Sequence, residues 1–338
     1  MPDDEIRLVS VVIPTYKRPM ELKQALNSVI KQTYKNIEVI IVFDGEDTLN
    51  INERINDIPV QSFGTGEKYG NGSKTRNFGA AKVKTKWIAF LDDDDIWAVD
   101  KLEKQISEIT KNTEIDFLYT DFYLFDQSYS VYDIKKLSDW FSNDRSIFLK
   151  NFLIYPATGS TSSYLIRTKK FREINGFNEK LPTAQDYDLA LRLFHSGAVF
   201  HCIPEPLLFY RTDNKKVSID IKKKEEGLES VLNTRRRLFS EFYTINEKEI
   251  LSFHIYSRAF AYLFGGQSLT FMKLYAEYSA GAAGLKNYIR GIFIFIISLS
   301  GMMNLISSMK RHFFGYVKFK KATAELSEST NQCIKYLT

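Results

Sequence analysis

Up to about residue 212, short apolar runs alternate with longer segments whose apolar positions recur every three or four residues. Leu8 to Ile13 is a β-branched run that Pro14 is expected to stop. Pro19 then opens a helical pattern with Leu22, Ala25, Leu26, Val29 and Ile30 on one face. Proline suits that first turn because its missing N–H would be unpaired there anyway. Ile37 to Phe43 reads as a second strand ending at Asp44-Gly45, and Val60 to Phe63 as a third leading into a glycine-rich loop, Gly64 to Gly72. Ser73 is expected to cap a helix running through Val83. Trp87 to Leu91 is the next strand, Val99 to Thr110 a helix, and Ile115 to Phe122 a strand. Such alternation predicts an α/β fold, a mostly parallel sheet with helices on both faces.

From Tyr123 to Leu181 the pattern is irregular, with one clear strand at Ser162 to Ile166. Gln185 to Phe194 is helical, Val199 to Ile203 and Leu207 to Tyr210 read as two short strands, and beyond Lys222 the chain is helical throughout. The expected division is an α/β domain over 1–215, with halves of about 1–122 and 123–215, and a helical region over 216–338. Lys222-Lys223-Lys224 and Arg235-Arg236-Arg237 fall on the first of those helices and read as solvated faces. Gly291 to Met309 carries no charge, and about twenty apolar residues can span a bilayer. Ser300, Asn304, Ser307 and Arg311 would form a polar stripe, and basic residues flank the segment. Contact with a membrane surface through 288–312 fits this pattern better than a span, with packing on the α/β domain the other reading.

Composition narrows the class only a little. The 338 residues carry a net charge of +5, too modest to point to nucleic acid, though it suits anionic lipid or a nucleotide diphosphate. The two cysteines, Cys202 and Cys333, stand far apart and read as free thiols of a reducing compartment. Pro2-Asp3-Asp4-Glu5 follows Met1 where a secretory signal would be apolar, so a cytoplasmic location is expected. Gly64-Thr65-Gly66 lacks the third glycine of a dinucleotide fingerprint, and Gly72-Ser73-Lys74-Thr75 has serine where a phosphate loop needs glycine before the lysine. Four scattered histidines give no zinc pattern.

The chemistry concentrates in Trp87-Ile88-Ala89-Phe90-Leu91-Asp92-Asp93-Asp94-Asp95. A buried-strand sequence delivers consecutive carboxylates to its own carboxyl end, where open α/β sheets place their ligands. Adjacent ionised carboxylates repel by about 1–4 kcal/mol per close pair at surface-like dielectric, so the cluster needs open water or a cation. An exposed acidic turn is the bland alternative; the position favours a metal site. In an extended chain Asp92 and Asp94 point one way and Asp93 and Asp95 the other, and one pair can offer hard oxygens to Mg2+ or Mn2+.

Val11-Val12-Ile13-Pro14-Thr15-Tyr16-Lys17-Arg18, Asp44-Gly45, Arg76-Asn77, Asp92 to Asp95 and Gln185-Asp186-Tyr187-Asp188 together resemble the family 2 glycosyltransferases in order and approximate spacing, over residues 8 to 212. No single motif is specific; the series is. The resemblance implies a GT-A nucleotide-diphospho-sugar transferase fold and inverting, metal-dependent transfer from a nucleotide-diphosphate sugar. The family resemblance, through Asp44, implies a UDP-sugar donor, and the C-terminal helices look like those of bacterial surface-polysaccharide transferases, which implies a glycan or polyprenyl-linked acceptor at the inner face of the cell membrane.

Position by position, the resemblance puts Pro14, Thr15, Tyr16 and Arg18 where the family holds the nucleotide, and Asp44 on its base or ribose. Phe43 stands where a second acid is common. Lys74, Arg76 and Asn77 fall at the pyrophosphate and base. Asp92 and Asp94 match the metal-binding pair if Leu91 ends the strand, and Asp93 lies with the donor. Asp186 aligns with the general base, Gln185 replaces the usual glutamate before it, and Asp188 is structural. A capping role is the alternative for Asp186. Arg211 lies near the diphosphate, and Gly159, Ser160, Gly176, Phe177 and Gln185 fall on the acceptor side. Two other readings are a nucleotide-sugar-binding module without turnover, motivated by Phe43 and Gln185, and a nucleotidyltransferase, for which no N-terminal phosphate signature is present.

Overall fold

The computed structural model describes residues 9–154, 158–212 and 221–240. Its strands and helices, in chain order, are β1 (Val9–Thr15), α1 (Pro19–Ile30), β2 (Ile37–Phe43), β3 (Asn52–Ile55), β4 (Ile58–Gly64), α2 (Gly72–Ala80), β5 (Trp87–Phe90), β6 (Ile96–Trp97), α3 (Lys101–Lys111), β7 (Phe117–Phe125), β8 (Val131–Lys135), α4 (Arg145–Ile154), β9 (Leu165–Arg167), α5 (Thr168–Glu173), α6 (Gln185–His195), β10 (Phe200–Arg211) and α7 (Ile221–Leu238). The strands make one ten-stranded sheet, ordered β3-β4-β2-β1-β5-β9-β7-β10-β6, with β8 paired to β7. Around β1 the pairing is parallel, with β2 on one side and β5 on the other, and β4 beyond β2. The carboxyl ends of β1, β2, β4 and β5 therefore share one edge. Antiparallel β9 joins this half to the parallel pair of β7 and β10, giving the GT-A fold as a mixed sheet.

The central strands are buried almost throughout, as parallel strands covered on both faces must be. Close packing of α2 on β1 and β2 depends on Gly79: a Cβ there would lie 2.5 Å from Val12 Cγ1 and 2.8 Å from Val42 Cγ2. Pro14 does not stop β1. Leu91 N–H donates to the Val12 carbonyl and Asp44 N–H to that of Thr15, so Pro14 faces the side on which β5 has already ended and no ladder bond is lost.

Several elements differ from the periodicity reading. β3 and β4 form a hairpin through Asn56 and Asp57, both left-handed, but β3 is largely exposed and lacks the apolar alternation that announces a strand. Asn71, not Ser73, caps α2, accepting the Ser73 N–H at 2.9 Å and the Lys74 N–H at 3.4 Å. The two strands expected near 200 and 208 are one, β10, bent by register shifts around Pro206. The irregular stretch after Tyr123 holds β8, α4 and α5, short elements whose apolar residues follow no single period.

Beyond 216, α7 packs on α6: Thr234 Oγ1 reaches Asp188 Oδ1 at 3.4 Å, and the Arg235 guanidinium lies 4.8 Å from the Tyr187 ring centre. Arg235 is therefore buried, not on a solvated face, while Arg236 and Arg237 are exposed. No helix among the described residues is long and apolar enough to cross a membrane. The side chains of Lys222 to Lys224, the segment 288–312 with Gly291 to Met309, and Cys333 lie outside the described residues. Cys202 is buried as a free thiol.

Replacing Gly79 with Ala should lower unfolding free energy by about 1–3 kcal/mol through overpacking. Urea denaturation of the two proteins checks this; equal midpoints would mean α2 can lift off the sheet without loss.

Candidate functional site

A cleft of about 660 Å³ opens at the shared carboxyl edge of the parallel strands. The β1–α1 turn supplies Pro14, Thr15, Tyr16 and Arg18; the end of β2 supplies Asp44; α2 and the loop before it supply Lys68, Asn71, Thr75 and Arg76. Asp92, Asp93 and Asp94 line the floor, and Tyr210, Arg211 and Thr212 close the far side. A second lobe of about 630 Å³ shares Thr15, Tyr16, Arg18, Asp44 and Lys68 and continues against Leu22, Leu26, Phe43 and Leu49. Polar chemistry at one end and an apolar recess at the other suit a ligand that is charged in one part and flat in another.

The aspartates sit on a turn, not on the strand. Asp95 N–H donates to the Asp92 carbonyl at 3.1 Å, and β6 follows at once, pairing with β10. The Asp92 N–H donates to Ser162 Oγ at 3.1 Å. Ser162 is itself fixed, since its carbonyl accepts the Trp97 indole N–H at 2.7 Å and its N–H donates to Ser160 Oγ at 3.3 Å.

Each carboxylate then meets a different environment. Asp92 pairs with Arg76. Asp93 accepts from Thr15 Oγ1 at 2.8 Å and from Arg18 Nη1 at 3.0 Å, and Asp94 accepts from the same Arg18 nitrogen at 2.7 Å. Asp95 accepts the Arg211 backbone N–H at 3.0 Å, while its Oδ2 is buried without a hydrogen-bond partner. Burial raises the Asp93 carboxyl to about 6, against the pull of Thr15 and Arg18. Burial, then the charges of Asp94 and Asp92, push Asp95 well above the ordinary carboxylate range. Burial also opposes the charge on Arg76, but Asp92, Asp186 and Asp94 together hold it above its usual value.

Asp186 lies in the first turn of α6. The residue before the helix proper is Ala184, left-handed at φ +58° and offering no side-chain cap, so Asp186 is not the cap. Its Oδ1 accepts the Tyr187 N–H at 2.8 Å. Burial raises its proton affinity, with Arg76 opposing and Asp92 adding to the rise. Tyr210 is raised by burial and by the field of the same acids. Asp188, by contrast, is buried and paired with Arg192 at 2.8 Å. Lys17 at φ +52° is, like Ala184, a non-glycine held left-handed beside the site, strain of a kind that collects around functional residues.

Other expected residues are placed elsewhere. Asn77 does not line the cleft: its side chain brackets Phe177, accepting the N–H and donating to the carbonyl, both at 2.9 Å, and also reaches Glu179 Oε1 at 2.9 Å. Lys74 is exposed, 5.6 Å from the Tyr69 ring centre. Both Asp44 oxygens accept loop N–H groups, from Tyr69 at 2.6 Å and Gly70 at 2.9 Å. Gly159, left-handed, and Ser160, extended, build the turn that carries Ser162, and left-handed Gly176 offers its carbonyl to Arg192 at 2.7 Å. Gln185 donates to the Leu181 carbonyl at 3.0 Å. Periodicity gave no signal for Lys68 or Asn71, and it put Ser162 at the start of a strand, whereas Ser162 lies in a 3-10 turn, Thr161–Ser163, and β9 begins only at Leu165.

No three acidic, histidine or cysteine side chains converge on one point among the described residues. Asp92 and Asp94 are partly exposed, line the cleft and carry hard oxygens. This donor set fits a small divalent cation that takes one or two carboxylates and completes its shell with phosphate oxygens and water.

A family model described as Glycosyl transferase family 2 matches residues 10–174. An uncharacterized glycosyltransferase of Methanocaldococcus jannaschii is 31% identical over 215 residues, covering 62% of this chain and 72% of that protein. One from Rickettsia bellii is 32% identical over 200 residues, 57% of this chain but 28% of its own length; for a Rickettsia conorii relative the latter share is 32%. The chain thus spans about a third of the length of those two relatives. Among solved structures, S. aureus TarS 1-349 in complex with UDP-GlcNAc superposes with a TM-score of 0.57 at 18% identity, covering 81% of both chains. The mannosyltransferase PcManGT from Pyrobaculum calidifontis, in complex with GDP-Man and Mn2+, gives 0.55 at 14% identity over 100% of this chain and 89% of its own. At such identities the likeness is one of fold.

The folded chain binds a proton at Asp93 more tightly than the unfolded chain does, so stability falls as pH rises from 3.8 through about 6. With chelator present, the unfolding free energy of wild type relative to Asp93→Asn should fall by about 2 kcal/mol between pH 4 and pH 7. Denaturation series at each pH test this, and parallel pH profiles would contradict the assignment.

Proposed function

The chain belongs to glycosyl transferase family 2, and we propose that it moves a sugar from a nucleotide-diphosphate donor to an acceptor hydroxyl with inversion. The observation that carries this reading is the neighbourhood of Asp186. A half-buried carboxylate of raised proton affinity, within the electrostatic field of Arg76 and Asp92, stands near a cleft of balanced charge at the strand ends. A general base works best with proton affinity raised toward the working pH.

In this reading the nucleobase enters the apolar lobe between Phe43 and Leu22, beside Tyr16. The pyrophosphate lies across Arg18 and Arg76, with Arg211 behind it. Arg211 is rigid, since its Nε donates to the Asp94 carbonyl at 2.8 Å and its Nη2 to Gln24 Oε1 at 2.9 Å. Asp92 and Asp94 would hold Mg2+ or Mn2+, which when bound offsets charge on the departing diphosphate. Asp186 removes the acceptor proton as the acceptor oxygen attacks the anomeric carbon opposite the leaving group. One displacement inverts that centre. Support for a nucleotide-sugar donor comes from neighbours of the same fold described with UDP-GlcNAc and with GDP-Man and Mn2+. A UDP-sugar is the donor proposed, and a glycan or polyprenyl-linked acceptor of bacterial polysaccharide synthesis at the inner membrane face is the partner. The catalytic domain proposed is 1–215.

Asp186→Asn should bind nucleotide as wild type does yet lose about 10²–10⁴-fold in transfer rate, read by nucleotide release from a panel of sugar donors. Unchanged transfer would remove Asp186 as the base. Asp94→Asn should lower nucleotide affinity in Mn2+ but not in chelator; equal affinities in Mn2+ would move the cation off Asp94.

A further inference from the structure

The cations that hold the aspartates point to a second duty. We propose that Arg18 and Arg76 are exchangeable counter-ions, which neutralise the aspartates as the structure shows them and pass to the donor's pyrophosphate when a divalent cation takes the carboxylates. Cation and nucleotide then bind as a pair, neither well alone. This rests on the transfer reading above and adds to it the reason for their mutual dependence.

Three observations carry it. The first is competition for the same oxygens. Arg18 Nη1 lies 2.7 Å from Asp94 Oδ2 and 3.0 Å from Asp93 Oδ1, and Arg76 is paired with Asp92. A cation entering between Asp92 and Asp94 meets both guanidiniums at its ligands, and like charges repel at such distances. The second is incomplete satisfaction. Arg76 Nε is buried without a hydrogen-bond partner, although its guanidinium is always charged. A phosphate oxygen would supply the acceptor, and the planar fork suits phosphate. Space for the fork comes from Gly72, where a Cβ would lie 2.7 Å from Arg76 Nη1.

The third is the balance of charge. Arg18, Lys68, Arg76 and Arg211 face Asp44, Asp92, Asp93 and Asp94 around the cleft. A divalent cation alone leaves a positive excess, and a pyrophosphate diester alone leaves an equal negative one. Only the pair preserves the balance. Arg211 does not share the exchange: it is anchored on the Asp94 carbonyl and Gln24 and stacked 4.6 Å from the Phe125 ring centre. The Arg18 guanidinium is paired with the Asp93 and Asp94 carboxylates and is partly exposed, so it can turn without unpacking the core.

The test uses the full chain, Mn2+ as the cation and UDP as the nucleotide, with GDP in its place if UDP does not bind. Free Mn2+ is followed by electron paramagnetic resonance and nucleotide binding by calorimetry. Arg18→Gln should bind Mn2+ without nucleotide about two- to fivefold more tightly than wild type. The same variant should bind UDP in saturating Mn2+ about tenfold more weakly. In wild type each ligand should raise the affinity of the other by one common factor, and that factor should shrink in the variant. Arg76→Gln, at the more buried position, should shift both affinities in the same directions. Unchanged or weaker Mn2+ binding in both variants, with Mn2+-dependent nucleotide binding intact in wild type, would overturn the exchange alone. A wild-type chain that binds neither nucleotide, with or without Mn2+, would instead overturn the transfer reading and the exchange with it.

Discussion

Four consecutive carboxylates leave β5, and the turn that carries them holds together only because groups from elsewhere in the chain come to meet it. Arg18 arrives from the β1–α1 turn, Arg76 from α2, and the Arg211 backbone from β10. Each is brought there by a different feature of the sheet: β1 lies next to β5, α2 rests on β1 and β2 through Gly79, and β10 reaches the turn by pairing with β6. Mutual repulsion of the aspartates would otherwise open the turn. The fold and the cleft are therefore one electrostatic arrangement, and the strand order can be read as the means of assembling it.

The helix α2 and the segment before α6 are joined by neutral hydrogen bonds as well as by charge. Asn77 brackets Phe177, and Asn71 Nδ2 donates to the Glu179 carbonyl at 2.8 Å. The Arg76 guanidinium lies between these two asparagines in sequence and 5.7 Å from the Phe177 ring centre. The segment that leads into α6 and Asp186 is thus tied to the helix that carries Arg76. On the proposed transfer reading this tie positions Asp186 relative to the donor, and catalysis is sensitive to displacements of about 1 Å.

Much of this was legible in the sequence where periodicity and chemistry coincide. β2 matches its apolar run from Ile37 to Phe43, α1 begins at Pro19, and α6 begins at Gln185. Asp92, Asp93 and Asp94 of the aspartate run, with Arg18, Arg76, Asp44 and Arg211, reach the cleft, while Asp95 is buried behind it. What stayed hidden is what local pattern does not encode. β3 is polar and exists through its turn and its pairing with β4. β6 has two residues and exists through β10. Asn77 has the sequence position of a donor contact, yet its amide matches the backbone of Phe177, a residue far along the chain. Lys68 reaches the site through a loop, and Ser162 through a 3-10 turn, whose courses depend on tertiary contacts. The aspartates face different ways because a turn, not an extended strand, carries them.

The proposed reaction is a single displacement at an anomeric carbon assisted by Asp186. The direct measurement is proton NMR of the newly formed sugar product, followed from the first minutes of reaction with UDP- and GDP-linked donors in Mn2+. The product should have an anomeric configuration opposite to that of the donor. A product of retained configuration, or nucleotide binding without turnover of any donor, would contradict it.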